Sequence, residues 1–136
     1  MKRFFYLFCL ISLFLLFLFT SIRSYANDVS KDLSNNFFRL HILANSDSNE
    51  DQSLKLKVRD NIISYMNTLS YSGLTKDEAI NLTNSHLVSF QEIAEKTIAG
   101  EGYNYPVKLE IGNFYFPTKE YGNISLPAGY YDALKI

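Results

Sequence analysis

Hydrophobic and polar residues follow three different patterns along this chain. From Phe4 to Phe19 every residue except Ser12 is apolar. Residues 38–42 then alternate apolar and polar side chains, which predicts a half-buried strand. After that strand, apolar residues recur at helical spacing in two successive segments, and the alternating pattern returns near the C-terminus. The chain is therefore expected to start with one apolar helix and to continue as a mixture of helices and strands.

The turn chemistry between these segments sets the start of two predicted helices. Ser48 precedes Asp51 by three residues, which resembles a capping box with Asp in place of Glu, so a first helix is expected over residues 49–69. Thr75 and Glu78 form a complete capping box at the start of a second helix. Its apolar stripe predicts one continuous helix that ends at the Gly-Glu-Gly sequence.

Turn residues divide the C-terminal part of the chain into short strands. A strand over residues 107–111 is expected to end at a turn formed by Gly112 and Asn113, and a Phe-Tyr-Phe sequence predicts a return strand. The order of elements predicts an α+β domain over residues 37–136, with two helices packed on one face of a small, mostly antiparallel sheet. A final strand from Tyr130 has no turn or polar tail after it, so we expect this domain to be C-terminally incomplete.

The N-terminal segment has the features of an export signal. We interpret residues 1–26 as a signal peptide, because Lys2 and Arg3 precede the apolar run and a Ser-Tyr-Ala sequence supplies a cleavage site. Residues 4–22 are also long enough for an uncleaved signal anchor that contacts the membrane. In both cases the two basic residues favour a cytoplasmic N-terminus and an exported remainder. The polar residues 27–36 are predicted to be a tether.

The charge of the exported part limits what it binds. Three of the 13 Lys and Arg residues lie in residues 1–26, whereas all 14 Asp and Glu residues follow, which leaves the remainder with a net charge of −4. A surface with no basic excess argues against nucleic-acid binding. The only cysteine, Cys9, lies in the apolar run, so we predict no thiol nucleophile and no cofactor in the exported part.

Polar side chains concentrate where the first strand meets the first helix. His41, Asp47 and a serine would supply the members of a catalytic triad, but no serine lies in a Gly-x-Ser-x-Gly sequence. The Asn and Asp residues that alternate from Asn45 to Asp51 resemble half of a calcium loop, yet the required glycine and bidentate glutamate are missing. A turn followed by a helix cap explains the same residues, and we predict neither catalysis nor a metal site here.

The same junction resembles a known family. The sequence RLHILANSDS, followed by DQxLKxKVRD, is similar to the signature of the stage II sporulation protein R family. The resemblance resumes at YPVKLEIG and continues through FPTKxYG and LPAGYYDALKI, so it covers nearly everything after residue 37. Members of that family continue beyond the position of Ile136 into a segment that contains Gly, Trp and Cys.

The resemblance implies an exported signalling protein of endospore-forming bacteria and not an enzyme. Such a protein is made in the forespore, is secreted across its membrane into the intermembrane space, and triggers a membrane-embedded aspartic protease to cleave pro-sigma-E. The residues themselves leave two alternatives open, an exported cell-wall hydrolase and a membrane-anchored scaffold.

We predict that the protease contacts the strand–helix junction, because polar residues cluster there. The predicted partner-binding residues are Arg39, His41, Asn45, Ser46, Asp47 and Asp51. Arg39 and His41 are expected to share the polar face of the first strand. The basic residues Lys55, Lys57 and Arg59 are balanced by neighbouring carboxylates and are interpreted as an ordinary exposed helix surface.

Overall fold

A computed structural model describes residues 2–122 and 124–136 and shows the predicted α+β class, with an apolar helix at the N-terminus. The helices are α1 (Lys2–Asn36), α2 (Asn49–Thr68), α3 (Lys76–Ser85) and α4 (Leu87–Gly100). The strands are β1 (Phe38–His41), β2 (Glu110–Phe116), β3 (Lys119–Tyr121), β4 (Ile124–Leu126) and β5 (Gly129–Lys135).

Helix α1 fits the predicted signal peptide or signal anchor. Its segment Lys2–Leu33 is long and apolar enough to cross a membrane, and none of its most apolar stretch is buried inside the protein. Residues 27–36, which were interpreted as a tether, continue the same helix. The helix leads directly into the domain, since the backbone N–H of Phe37 donates to the carbonyl of Leu33. Cleavage after Ala26 stays a prediction.

Strand β5 lies at the centre of a three-stranded sheet with the order β1-β5-β2. It runs parallel to β1 and antiparallel to β2, whereas β3 and β4 form a separate antiparallel hairpin. The predicted turn at Gly112 and Asn113 is wrong, because both residues lie inside β2 and pair with β5. Asn113 stays in the strand and donates from its side chain to the carboxylate of Asp132, at 2.9 Å.

The two faces of the sheet bury different sets of side chains. Helices α2 and α4 pack on one face, as the sequence predicted. The buried residues of that core are Val58, Ile62, Phe90, Ala94 and Leu134. The opposite face carries a smaller core formed by Phe116, Tyr131 and Ala133. Because successive side chains of β5 point to opposite faces of the sheet, Leu134 lies in the larger core and Tyr131 and Ala133 lie in the smaller one.

The second predicted helix is in fact two helices, α3 and α4, with His86 between them. Its first turn is as expected, since Thr75 and Glu78 make both hydrogen bonds of the capping box. The break coincides with a tertiary contact, in which Nδ1 of His86 lies 2.8 Å from the hydroxyl of Tyr65 in α2. Helix α3 is tied to the sheet by an ion pair between Lys76 and Asp132, at 2.6 Å.

Neighbouring isoleucines on α2 provide a test of this packing. Ile62 is 0% exposed and Ile63 is 41% exposed. Ile62→Ala should lower the free energy of unfolding by about 2–5 kcal/mol, because it leaves a cavity between α2 and α4. Ile63→Ala is the matched control and should cost about 1 kcal/mol or less. Urea unfolding of the full chain in mild detergent, followed by near-ultraviolet circular dichroism, measures both; equal losses would contradict the assigned core.

Candidate partner-binding site

The structure separates the six predicted partner-binding residues into two groups. Asn45, Ser46 and Asp51 form one hydrogen-bonded cluster at the start of α2. Arg39 and His41 lie on the face of β1 that carries the smaller core, where both rest against Phe116. Asp47 lies exposed in the loop between them. Residues that are close in sequence therefore contribute to two different surfaces.

The cluster at the start of α2 is organised around Asp51, which is only 5% exposed. Its carboxylate accepts hydrogen bonds from the Ser46 hydroxyl at 2.6 Å and from the Asn45 amide at 3.2 Å. The backbone N–H of Asp51 donates to the Ser48 hydroxyl at 3.1 Å, which is the helix cap that the sequence predicted. The second half of that capping box is absent among these residues, since the Ser48 N–H donates to Ser46 instead.

These contacts lower the pKa of Asp51. The hydrogen bond from Ser46 is the largest cause, hydrogen bonds from Asn45 and Tyr105 act in the same direction, and burial opposes them. The position in the first turn of α2 also suits a negative charge. The ionised Asp51 side chain therefore holds the loop against the start of α2. Tyr105, in the segment before β2, also hydrogen-bonds to this carboxylate.

A cavity of about 330 Å³ lies beside this cluster, between α2, α4 and the segment that leads into β2. Its apolar wall includes Leu54, Val58 and Ala94, and Asp51 and Tyr105 contribute its polar end. Over residues 2–122 and 124–136, no group of three or more His, Cys, Asp or Glu side chains is placed to hold a metal ion.

Arg39 packs against two aromatic rings on the face of β1 that carries the smaller core. Its guanidinium carbon lies 4.1 Å from the ring centre of Phe116 and 5.0 Å from that of Tyr131. One terminal nitrogen, Nη2, donates to the hydroxyl of Tyr121 at 3.2 Å. The other, Nη1, is buried and has no hydrogen-bond acceptor among the described residues. Arg39 thus contributes cation–π contacts to the fold and keeps one donor without a partner.

His41 has surroundings that disfavour its charged form. Burial lowers its pKa first, and the charges of Lys135, Arg39 and Lys55 lower it further. A triad histidine has the opposite environment, because a carboxylate orients the ring and stabilises its cation. Among the described residues no hydrogen bond joins His41 to a serine or a carboxylate, and its ring meets the edge of Phe116 at 5.1 Å. The triad of His41, Asp47 and a serine is not assembled.

A groove borders β1 on the side away from β5, and we call it the β1 groove. Its volume is about 620 Å³. Its floor is formed by residues 37–42. Its walls are Lys55, Leu56, Arg59 and Ile63 of α2, together with Lys119, Tyr121 and Leu126 of the β3–β4 hairpin.

The sequence did not predict that the wall residues of the β1 groove belong to a binding surface. The sequence pattern predicts only an ordinary exposed helix surface for Lys55 and Arg59. A signal was nevertheless present, because Leu56 and Ile63 lie two turns apart on α2 and outside its core stripe of Leu54, Val58 and Ile62. Two apolar residues at that spacing form an exposed ridge that the core does not need.

Comparisons with known proteins agree with the resemblance seen in the sequence. The family model described as stage II sporulation protein R matches residues 34–136. Stage II sporulation protein R of Bacillus subtilis (strain 168) is 40% identical over 98 residues. The chain belongs to the stage II sporulation protein R family. The aligned part is 72% of this chain and 44% of the relative, so the chain spans less than half of that protein's length. No solved structure matches.

Family membership supports a role in sporulation. The matched region begins in the last turn of α1 and includes the Asp51 cluster, Arg39, His41 and the whole β1 groove. The family description names a sporulation protein and no reaction. The partner-binding role of the six residues stays a prediction.

The Asp51 cluster predicts a pKa change in one variant. Removing the Ser46 hydroxyl removes the largest cause of the lowered pKa of Asp51, so Ser46→Ala should raise that pKa toward its usual value. Because the folded-state pKa is lowered, ionised Asp51 stabilises the fold above pH ~4 and this contribution disappears as the pH falls through the folded-state pKa. Ser46→Ala should therefore reduce the stability at neutral pH. Carboxyl carbon NMR titration measures the pKa, and Ser53→Ala, at an exposed position of α2, should leave it unchanged.

His41 predicts a second pH dependence, at higher pH. The unfolded chain binds a proton at His41 near pH ~6.5, whereas the folded chain binds it only at lower pH. Between these two pKa values the unfolded state carries more protons, so acidification from pH 7.5 to 5.5 should lower the free energy of unfolding. His41→Gln should weaken this dependence while leaving urea unfolding measurable at both pH values. An unchanged pH dependence in this variant would show that other groups cause it.

Proposed function

We propose that this chain is an exported signalling protein of endospore formation that activates the membrane-embedded aspartic protease cleaving pro-sigma-E. The observation that carries this proposal is the family match over residues 34–136, directly behind an apolar helix that fits a signal or anchor. In this proposal α1 directs the chain across the forespore membrane, and the α+β domain acts in the intermembrane space.

The described residues support binding more than catalysis. His41 lies among cations and against an aromatic ring, and the other histidine, His86, is hydrogen-bonded to Tyr65 between two helices. The polar side chains at the α2 start hold one another in place, with Asp51 at their centre. A loop held by these hydrogen bonds is suited to present side chains such as Asp47 to a partner.

Activation requires that the domain distinguish two states of the protease. A ligand shifts an equilibrium only by the difference between its affinities for the two states. We propose that the exposed loop around Asp47 and the β1 groove together contact the protease in its competent state. In this arrangement Asn45, Ser46 and Asp51 shape the loop, and Arg39 and His41 shape the groove.

Co-expression in a bacterium that does not sporulate tests this function. The protease, pro-sigma-E and this chain would be produced together, with and without residues 2–26, and cleavage of pro-sigma-E followed by immunoblot. We expect cleavage only when the chain is exported. A version extended by the relative's C-terminal segment would run in parallel, because the chain matches less than half of that relative.

Asp47 provides the matched variant for the same assay. Asp47→Ala should reduce cleavage by roughly two- to fivefold, which corresponds to an exposed charge contact of up to about 1 kcal/mol. Asp77→Ala removes another exposed carboxylate, on α3, and should have no effect. Absence of cleavage with both the short and the extended protein, despite confirmed secretion, would contradict the proposal. Release of peptidoglycan fragments by the purified protein would favour the hydrolase alternative.

A further inference from the structure

Strand β1 is an edge strand of the three-stranded sheet, and part of its backbone has no pairing partner among residues 2–122 and 124–136. The carbonyl of His41 accepts from the N–H of Ile136, and the N–H of Leu43 donates to the carbonyl of Ile136, both at 2.9 Å. In a parallel ladder, alternate residues point their backbone groups to the neighbouring strand. The N–H and C=O groups of Leu40 therefore point away from β5, into the β1 groove, as do those of Phe38 and Ile42.

The residues that line the groove offer a further strand both backbone partners and apolar surface. Its floor is the free edge of β1, one wall is α2 and the other is the β3–β4 hairpin. Leu56 and Ile63 leave 44% and 41% of their surface exposed on the α2 wall, and Tyr121 leaves 51% exposed on the hairpin wall. An added strand would satisfy the free backbone groups of β1 and cover these apolar surfaces at the same time.

The charge of the groove specifies the occupant. Four of the described residues that line it are cations, namely Arg39, Lys55, Arg59 and Lys119, and none of the described lining residues is Asp or Glu. Within the described chain, Arg59 pairs with Asp60 outside the groove and Lys55 contacts Gln52, whereas Lys119 has no ion-pair partner. Carboxylates are the groups that this set of donors lacks.

We propose that the β1 groove binds an extended, acidic segment of the partner protein, which adds to the sheet as a fourth strand beside β1. Side chains of an added strand alternate between the two walls. Acidic residues then face Arg39, His41 and Lys119 on the hairpin side, and apolar residues face Leu56 and Ile63 on α2. A second copy of this chain is a poor occupant, because its β1 edge carries the same positive charges. The inference rests on the proposed function only for the identity of the partner.

A synthetic peptide tests the groove without the protease. The probe is a peptide of about six residues that alternates glutamate and valine, which matches the groove floor formed by residues 37–42. It is added to the full chain in uncharged detergent micelles, and amide hydrogen exchange is followed by NMR. At ten times Kd, exchange at the N–H groups of Leu40 and Ile42 should slow roughly tenfold. The same peptide with N-methylated amides on its pairing edge keeps every side chain and should not bind.

Charge reversal gives the second arm of the test. Lys119→Glu should weaken peptide binding roughly tenfold, because it places a like charge beside the incoming carboxylates. Lys96→Glu makes the same change at an exposed position on α4, beside Glu92, and should leave binding unchanged. Near-ultraviolet circular dichroism confirms that both variants are folded. Equal binding of the N-methylated peptide, or an unchanged exchange rate at Leu40, would overturn the inference.

The protease assay keeps this inference separate from the proposed function. Failure of the wild-type chain to activate cleavage would count against the proposed function. The peptide experiment would still show whether the β1 groove binds an acidic strand. If the wild-type chain activates cleavage, Lys119→Glu should reduce it and Lys96→Glu should not. Full activation by Lys119→Glu would overturn the assignment of the groove to this partner.

Discussion

The rest of the structure depends on the burial of β5 on both of its faces. Tyr131 and Ala133 are fully enclosed on one face and Leu134 on the other, while β1 and β2 hydrogen-bond to its two edges. A strand buried in this way needs cover above and below the sheet. Helices α2 and α4 supply the cover on one side, and the aromatic residues of β2 with the cation of Arg39 supply it on the other. The separation of the site into two surfaces follows from this arrangement.

Local sequence signals predicted the elements that local interactions decide. The alternation before residue 43 and the Ser48 cap gave β1 and α2 with nearly correct bounds. The turn at Gly112 was predicted wrongly because pairing with β5 outweighs the turn preference of Gly and Asn. The spacing of apolar residues could not predict the helix break at His86 either. That break accompanies a contact between His86 and Tyr65, and Tyr65 lies on another helix. Long-range contacts thus account for both errors.

The sequence also predicted the local part of the candidate site but not its long-range contacts. The sequence located a polar strand–helix junction and identified Ser48 as its cap, and the structure places Asn45, Ser46 and Asp51 together there. The alternation along β1 correctly predicted that Arg39 and His41 share one face of the strand, but it could not show that this face carries the smaller core around Phe116. Nor could it bring the β3–β4 hairpin, which is distant in sequence, to the other wall of the β1 groove.

The charge distribution explains how an edge strand with apolar walls can stay exposed. An open edge invites pairing with any extended chain, and charged side chains are a common protection against it. The residues after 26 are acidic overall, yet cations surround the edge of β1. Two copies of this chain would bring the same cations face to face, which opposes pairing between the two β1 edges. An acidic strand from another protein meets no such repulsion. The same cations therefore oppose self-pairing of β1 and favour an acidic partner strand.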